Sequence, residues 1–141
     1  MQHKVSLAIE IILHATEDLT KIEKSLNDTF DTNFGQFEKE EIDGHFGNPI
    51  TILKTKIAKN DTKKIISILI SKISSDDLEI LEKKLDEMDK NYGLQIRINK
   101  QDLIRGKILF GKNDSIKLTI NTPVYKKSDI GKIYREILNI R

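Results

Sequence analysis

The densest run of side chains able to do chemistry is Arg97-Ile98-Asn99-Lys100-Gln101, followed shortly by Arg105-Gly106-Lys107. Guanidinium and ammonium groups beside amides suit contact with phosphate and with the polar edges of bases. On a strand whose Ile96 and Ile98 point inward, Arg97 and Asn99 point outward. A short turn is then expected to bring Arg105 and Lys107 back to the same neighbourhood, with Gly106 letting the backbone approach a ligand. Lys117, between Ile116 and Leu118, joins that outer face. A charged face that meets only water is the plainer account of the same residues.

A second group, His14, Glu17 and Asp18, has the residue types of a metal or general-base cluster. Helix capping beside a strand-end histidine explains it more simply. No nucleophile motif, phosphate loop or two-histidine metal spacing accompanies it. No catalytic residue, metal ligand or cofactor is therefore expected; a metal-dependent nuclease using Glu17 and Asp18 is the enzymatic alternative. His45 reads as a turn residue. Glu79, Glu82 and Glu87 read as solvent-facing helix partners of Lys83 and Lys84.

Charge is divided along the chain. Residues 1–93 hold 13 Lys and no Arg against 18 acidic residues, a net −5, whereas residues 94–141 hold 7 Lys and 4 Arg against 4 acidic residues, a net +7. Such asymmetry points to an anionic partner for the last third. Aromatic support is thin: Phe34, Phe37, Phe46 and Tyr125 are the candidates for exposure, and Phe110 shares the core parity of Ile108. Base stacking on a paired-aromatic sheet is not expected.

The elements that position these residues follow from periodicity. With 141 residues and 24 isoleucines at regular intervals, the chain suits one packed domain. Alternation of Val5, Leu7, Ile9, Ile11 and Leu13 predicts a strand over 3–14. Thr16 is expected to cap a helix over 17–30 that buries Leu19, Ile22, Leu26 and Phe30. Residues 36–58 read as a hairpin around the Gly44–Pro49 turn. Helices follow over 61–73 and from Ser74 or Ser75 to Asn91-Tyr92-Gly93, with Gly93 just past the end. A strand over 94–99, a helical turn over 100–105, a hairpin pairing 108–110 with 115–121, and a helix over 127–139 complete the pattern. Helices grouped between hairpins predict an α+β fold: a single domain with a mostly antiparallel β-sheet and helices packed on one face.

There is no cysteine, so disulfides and thiolate chemistry are excluded and a reducing, cytoplasmic setting fits. No signal-peptide pattern opens the sequence, and no apolar run approaches the ~20 residues that span a bilayer, so no membrane partner is expected.

Three segments in order, His14-Ala15-Thr16-Glu17-Asp18, His45-Phe46-Gly47-Asn48-Pro49-Ile50 and Arg97-Ile98-Asn99-Lys100-Gln101 with Gly106, resemble an archaeal family of small proteins described as RNA-binding or exosome-subunit-like. The resemblance covers about residues 5–120. It implies a fold similar to that of the ribosomal protein that carries the smallest large-subunit RNA. RNA is the partner it implies, with subunits of an RNA-processing complex as further partners. The matching positions are His14, Glu17, Asp18, Gly47, Asn48, Pro49, Arg97, Lys100, Gln101 and Gly106. Asn99 departs from the acidic residue expected there, so no role needing a carboxylate carries over. The combined expectation is a non-catalytic RNA-binding protein, with a protein-interaction subunit of a larger complex, its basic face docking an acidic partner, as the alternative. Its candidate contacts are Arg97, Asn99, Lys100, Gln101, Arg105, Gly106, Lys107 and Lys117. Asn48, Lys54 and Lys56 join them if the 36–58 hairpin lies beside the 94–99 strand.

Overall fold

The computed structural model describes residues 4–34, 37–43 and 47–140. Strict alternation makes the first strand, β1 (Ser6–His14): Leu7, Ile9, Ile11 and Leu13 are buried, while Glu10 and Ile12 face the other way. Helix α1 (Leu19–Phe30) buries Ile22, Leu26 and Phe30. It starts two residues later than the sequence predicts because Asp18, not Thr16, is the cap, accepting from Thr20 N–H at 2.9 Å. Glu17 is held in the preceding turn, its N–H on the His14 carbonyl at 3.0 Å and its carboxylate accepting from His14 N–H at 2.9 Å.

The expected hairpin forms from β2 (Glu38–Asp43) and β3 (Pro49–Lys56), paired from Glu38↔Lys54 to Asp43↔Pro49. Every residue of β2 is exposed, so neither of its faces is covered. The His45 and Phe46 part of the turn lies outside the described residues. Helix α2 (Lys59–Lys72) buries Ile65, Ile66 and Leu69. Helix α3 (Ser75–Asp86) begins at Ser74, whose hydroxyl oxygen accepts from Asp77 N–H at 3.1 Å. It stops at Asp86, short of Asn91, with Glu87 as its C-terminal cap. Asn91 donates to the Thr122 carbonyl at 2.8 Å and accepts from the Tyr134 hydroxyl at 2.7 Å. Gly93, at φ +88°, then turns the chain into the next strand, and a Cβ there would lie 2.4 Å from Asn121 Oδ1.

Strand β4 (Leu94–Asn99), the short helix α4 (Lys100–Ile104) and β5 (Ser115–Asn121) follow. Residues 108–110 do not pair with β5 as expected. Instead β5 lies against β4 itself, and 108–110 makes one antiparallel bridge, Ile98↔Phe110, on the other edge of β4. Two backbone hydrogen bonds hold it there, Asn99 N–H to the Leu109 carbonyl at 2.8 Å and Gly111 N–H to the Arg97 carbonyl at 3.0 Å, and Ile108 is buried. A 3₁₀ turn (Lys127–Asp129) leads into α5 (Ile130–Leu138), which buries Ile130, Tyr134 and Leu138.

The five strands form one antiparallel sheet in the order β2-β3-β1-β5-β4. Together with five helices this is an α+β fold. One apolar core joins the inward residues of β1, β3, β4 and β5 to the helices. The outward residues form an open face. Among the described residues no helix is long and apolar enough to cross a membrane.

Candidate functional site

Antiparallel registers align one row of charges across all five strands: Glu38, Lys54, Glu10, Lys117 and Arg97. The signs alternate except at the β5–β4 end, where Lys117 and Arg97 are neighbours. Lys117 is 3.6 Å from Glu10, whereas Arg97 has no ion-pair partner among the described residues. The positive end of the row therefore lies at β4. Lys54 and Lys56 do face the same side, but their hairpin pairs with β1, not beside β4. Three strand spacings of ~4.8 Å place β3 about 14 Å from β4. Asn48, exposed, precedes β3 on that far side.

Lys100 departs most from expectation. Expected as a surface cation, it is 1% exposed. Its ammonium donates to the Ile12 carbonyl at 2.6 Å, to Glu17 Oε1 and Oε2 at 2.8 and 3.0 Å, and to Asp114 Oδ1 at 2.9 Å. A buried ammonium with two carboxylates and a carbonyl has its donors satisfied, and it ties β1, the turn before α1 and the approach to β5 together. The hydrogen bond from Lys100 is also what chiefly holds the Asp114 carboxyl below the usual aspartate range. Asp114 adopts a left-handed conformation, φ +49°, and its carbonyl accepts Lys100 N–H at 2.9 Å. The inward position of Lys100 agrees with the period of two that buries Leu94, Ile96 and Ile98.

The cluster also tests the metal reading. His14, Glu17 and Asp114 present ligand-type atoms within 4.8 Å of one another. Asp18 is not among them; it caps α1. Since both carboxylates already hold a fixed ammonium, a dication would share its ligands with a like charge. The donor set fits an ion pair better than a metal.

The remaining candidates divide. Asn99 spends its side chain capping α4, accepting from Asp102 N–H at 2.9 Å. Gln101 is exposed and donates to Asp114 Oδ2 at 3.3 Å. Arg105, Gly106 (φ +80°) and Lys107 form an exposed turn. Because α4 packs against α1, that turn lies toward the helical side of the rim, not on the open face with Arg97. Arg135 pairs with Asp86 at 2.6 Å, joining α5 to α3. Phe34 stands edge-on to Phe30 at 6.3 Å, and both it and Phe37 pack against the core; Tyr125 is free of it at 94% exposed.

Two features escaped the sequence reading. Ile12 and Ile42 are exposed on the open face, in rows with Ile52 and Ile50. Among the described residues Lys84 pairs with no helix carboxylate; it reaches over the edge of the sheet to the Gln95 carbonyl. There burial, and secondarily the positive charge of Arg97, pull its ammonium below the ordinary lysine range.

An antiparallel sheet with helices on one side and an open face of charged and apolar rows on the other makes this a small α+β protein. The family model described as RNA binding matches residues 6–122, and the chain belongs to that family. It is 28% identical to an uncharacterized protein of Methanocaldococcus jannaschii, over 94% of each chain. It is likewise 28% identical to a Pyrococcus abyssi protein named as RNA-binding, over 94% of this chain and 92% of that one. The crystal structure of a DUF54 protein from Archaeoglobus fulgidus superposes with a TM-score of 0.79 at 27% identity, covering 95% of this chain and 99% of that one.

Proposed function

We propose that this protein is a non-catalytic cytoplasmic RNA-binding protein that receives the backbone of structured RNA at the β4–β5 end of its open face and the adjoining rim. The observation that carries this reading is the pair Arg97 and Lys117. They sit side by side at the end of a row whose other charges alternate, in a chain of an RNA-binding family. At this end Arg97, Arg105 and Lys107 have no ion-pair partner among the described residues and meet phosphate; Lys117 adds to them where Glu10 releases it. Lys100 acts behind them by fixing the rim. Gln101 and Gly106 offer polar and backbone contacts there, while Asn48, Lys54 and Lys56 extend the surface toward β3.

Three phosphates neutralised by Arg97, Arg105 and Lys107 give a logarithmic salt slope of about −2.7, so a fourfold rise in salt weakens binding about 40-fold. Filter binding of a structured RNA across salt concentrations measures the slope. Replacing all three by Ala is expected to flatten it toward zero; an unchanged slope places the RNA elsewhere.

A second reading rests on the apolar rows of the same face. Ile12 and Ile42, 41% and 42% exposed, suit contact with another protein, as in an accessory of RNA processing or of an exosome-like assembly. Partners retained after ribonuclease treatment and lost in Ile12→Ser support it. If ribonuclease releases every partner, this second reading falls.

A further inference from the structure

Between α3 and the outer edge of β4 lies a groove of about 550 Å³ bordered by Ile80, Lys84, Arg97, Phe110, Gly111 and Lys112. Three of these are cations, drawn from three separate segments. None of the three is ion-paired among the described residues, and Lys84 spends one donor on the Gln95 carbonyl. Ile80 is 57% exposed, although it sits on a helix whose Leu81 and Leu85 are buried. Phe110 is half-buried, and its backbone is anchored by N–H donation to Asp77 Oδ2 at 3.0 Å. Gly111 packs closely on Asn99, a Cβ there standing 3.3 Å from Asn99 Cβ. The Phe110–Gly111 segment is therefore fixed in place, and the groove is preformed.

Unpaired cations beside an apolar floor ask for a ligand with an anionic group and a flat apolar body. Duplex RNA supplies only the first, because its bases are stacked and paired. An unpaired nucleotide supplies both, and its base can stack on an aromatic side chain. The volume lies within the range of small-ligand sites. We propose that this groove is a pocket for a single unstacked RNA nucleotide, with the phosphate held by Lys84, Arg97 and Lys112 and the base lying against Ile80 and Phe110. The inference rests on the RNA-binding reading and sharpens it: the RNA preferred is one that offers a bulged or single-stranded nucleotide next to a helix. The Lys84 ammonium is lowered first by burial and second by Arg97, and a bound phosphate sets an opposite charge beside both cations.

The test compares two RNA hairpins of equal length, one fully paired and one with a single bulged nucleotide, by fluorescence anisotropy at fixed salt. Wild-type protein is expected to bind the bulged hairpin about tenfold more tightly. Lys84→Met, which keeps the aliphatic stem, and Phe110→Leu, which keeps apolar bulk without the ring, are each expected to reduce that preference to less than threefold. Neither should weaken binding of the paired hairpin by as much. Ile80→Ala, at an exposed position that cannot compromise the core, provides the same readout should Phe110→Leu disturb folding. Equal binding of the two hairpins by wild type overturns the pocket and leaves the RNA-binding reading standing. Binding of neither hairpin at low salt overturns both. A tenfold preference that survives Lys84→Met and Ile80→Ala also overturns the pocket. So does an acidic peptide that competes with the bulged hairpin as well as an oligonucleotide of equal charge.

Discussion

Lys100 and Lys84 lie beside opposite ends of β4, and their surroundings are opposite too. Lys100 is enclosed by two carboxylates and a carbonyl. Lys84 has one carbonyl and faces a guanidinium. The first cation is compensated from within the chain and holds the fold together. The second is partly desolvated and has a carbonyl but no carboxylate beside it among the described residues. Charge count alone does not distinguish the two, because both are lysines in a cation-rich neighbourhood. What separates them is whether the chain supplies the counter-charge.

Substituting Lys100 is expected to have the largest effect. Lys100→Met strips the counter-charge from Glu17 and Asp114 and is expected to cost about 3–5 kcal/mol, read as a lowered midpoint in urea denaturation. A loss under ~1 kcal/mol would break the contrast at its strong end. A buried but neutral polar group should fall between the two lysines. Tyr134→Phe removes the bond to Asn91 and is expected to cost about 1 kcal/mol. Burial raises the Tyr134 hydroxyl above the ordinary tyrosine range. Its contribution is therefore whole below that range and lost as the pH rises through the higher folded value.

Acid should act on the Lys100 cluster more gently. Because the folded Asp114 carboxyl is held below the aspartate range, its contribution is whole at neutral pH. It fades as the pH falls from that range toward the folded value. Comparing the denaturation midpoint of wild type and Asp114→Asn between pH 6 and 2 should show convergence as acid is added; parallel curves would remove Asp114 from the cluster. The smallest effect on stability is expected for Lys84→Met, within ~0.5 kcal/mol. A loss as great as that of Lys100→Met would mean that Lys84 too belongs to the fold.

The sequence carried the element order and most of the core, because alternation in β1, β4 and β5 and the i, i+3, i+4 spacing of α5 are local signals. It misled where local signals compete. Thr16 and Asp18 are both competent caps, and the choice fell to Asp18 because Glu17 folds back onto His14 and reaches Lys100, a contact across 83 positions. Residues 108–110 have strand character, but both edges of β5 were already taken, by β1 and β4. Lys100 could have been placed correctly by extending the parity of Leu94, Ile96 and Ile98 one step further. Lys84 could not, because its position depends on how α3 crosses the edge of β4, and helix periodicity contains no information about that crossing.

Strand β2 contributes no buried residue and is joined to the rest of the sheet through β3 alone. Leaving the sheet therefore forfeits backbone hydrogen bonds and almost no apolar contact. In native-state hydrogen exchange its amides should open by local detachment at low free energy, while those of β1 and β5 wait for global unfolding. The five strands thus have unequal lifetimes, and the shortest belongs to the strand farthest from Arg97.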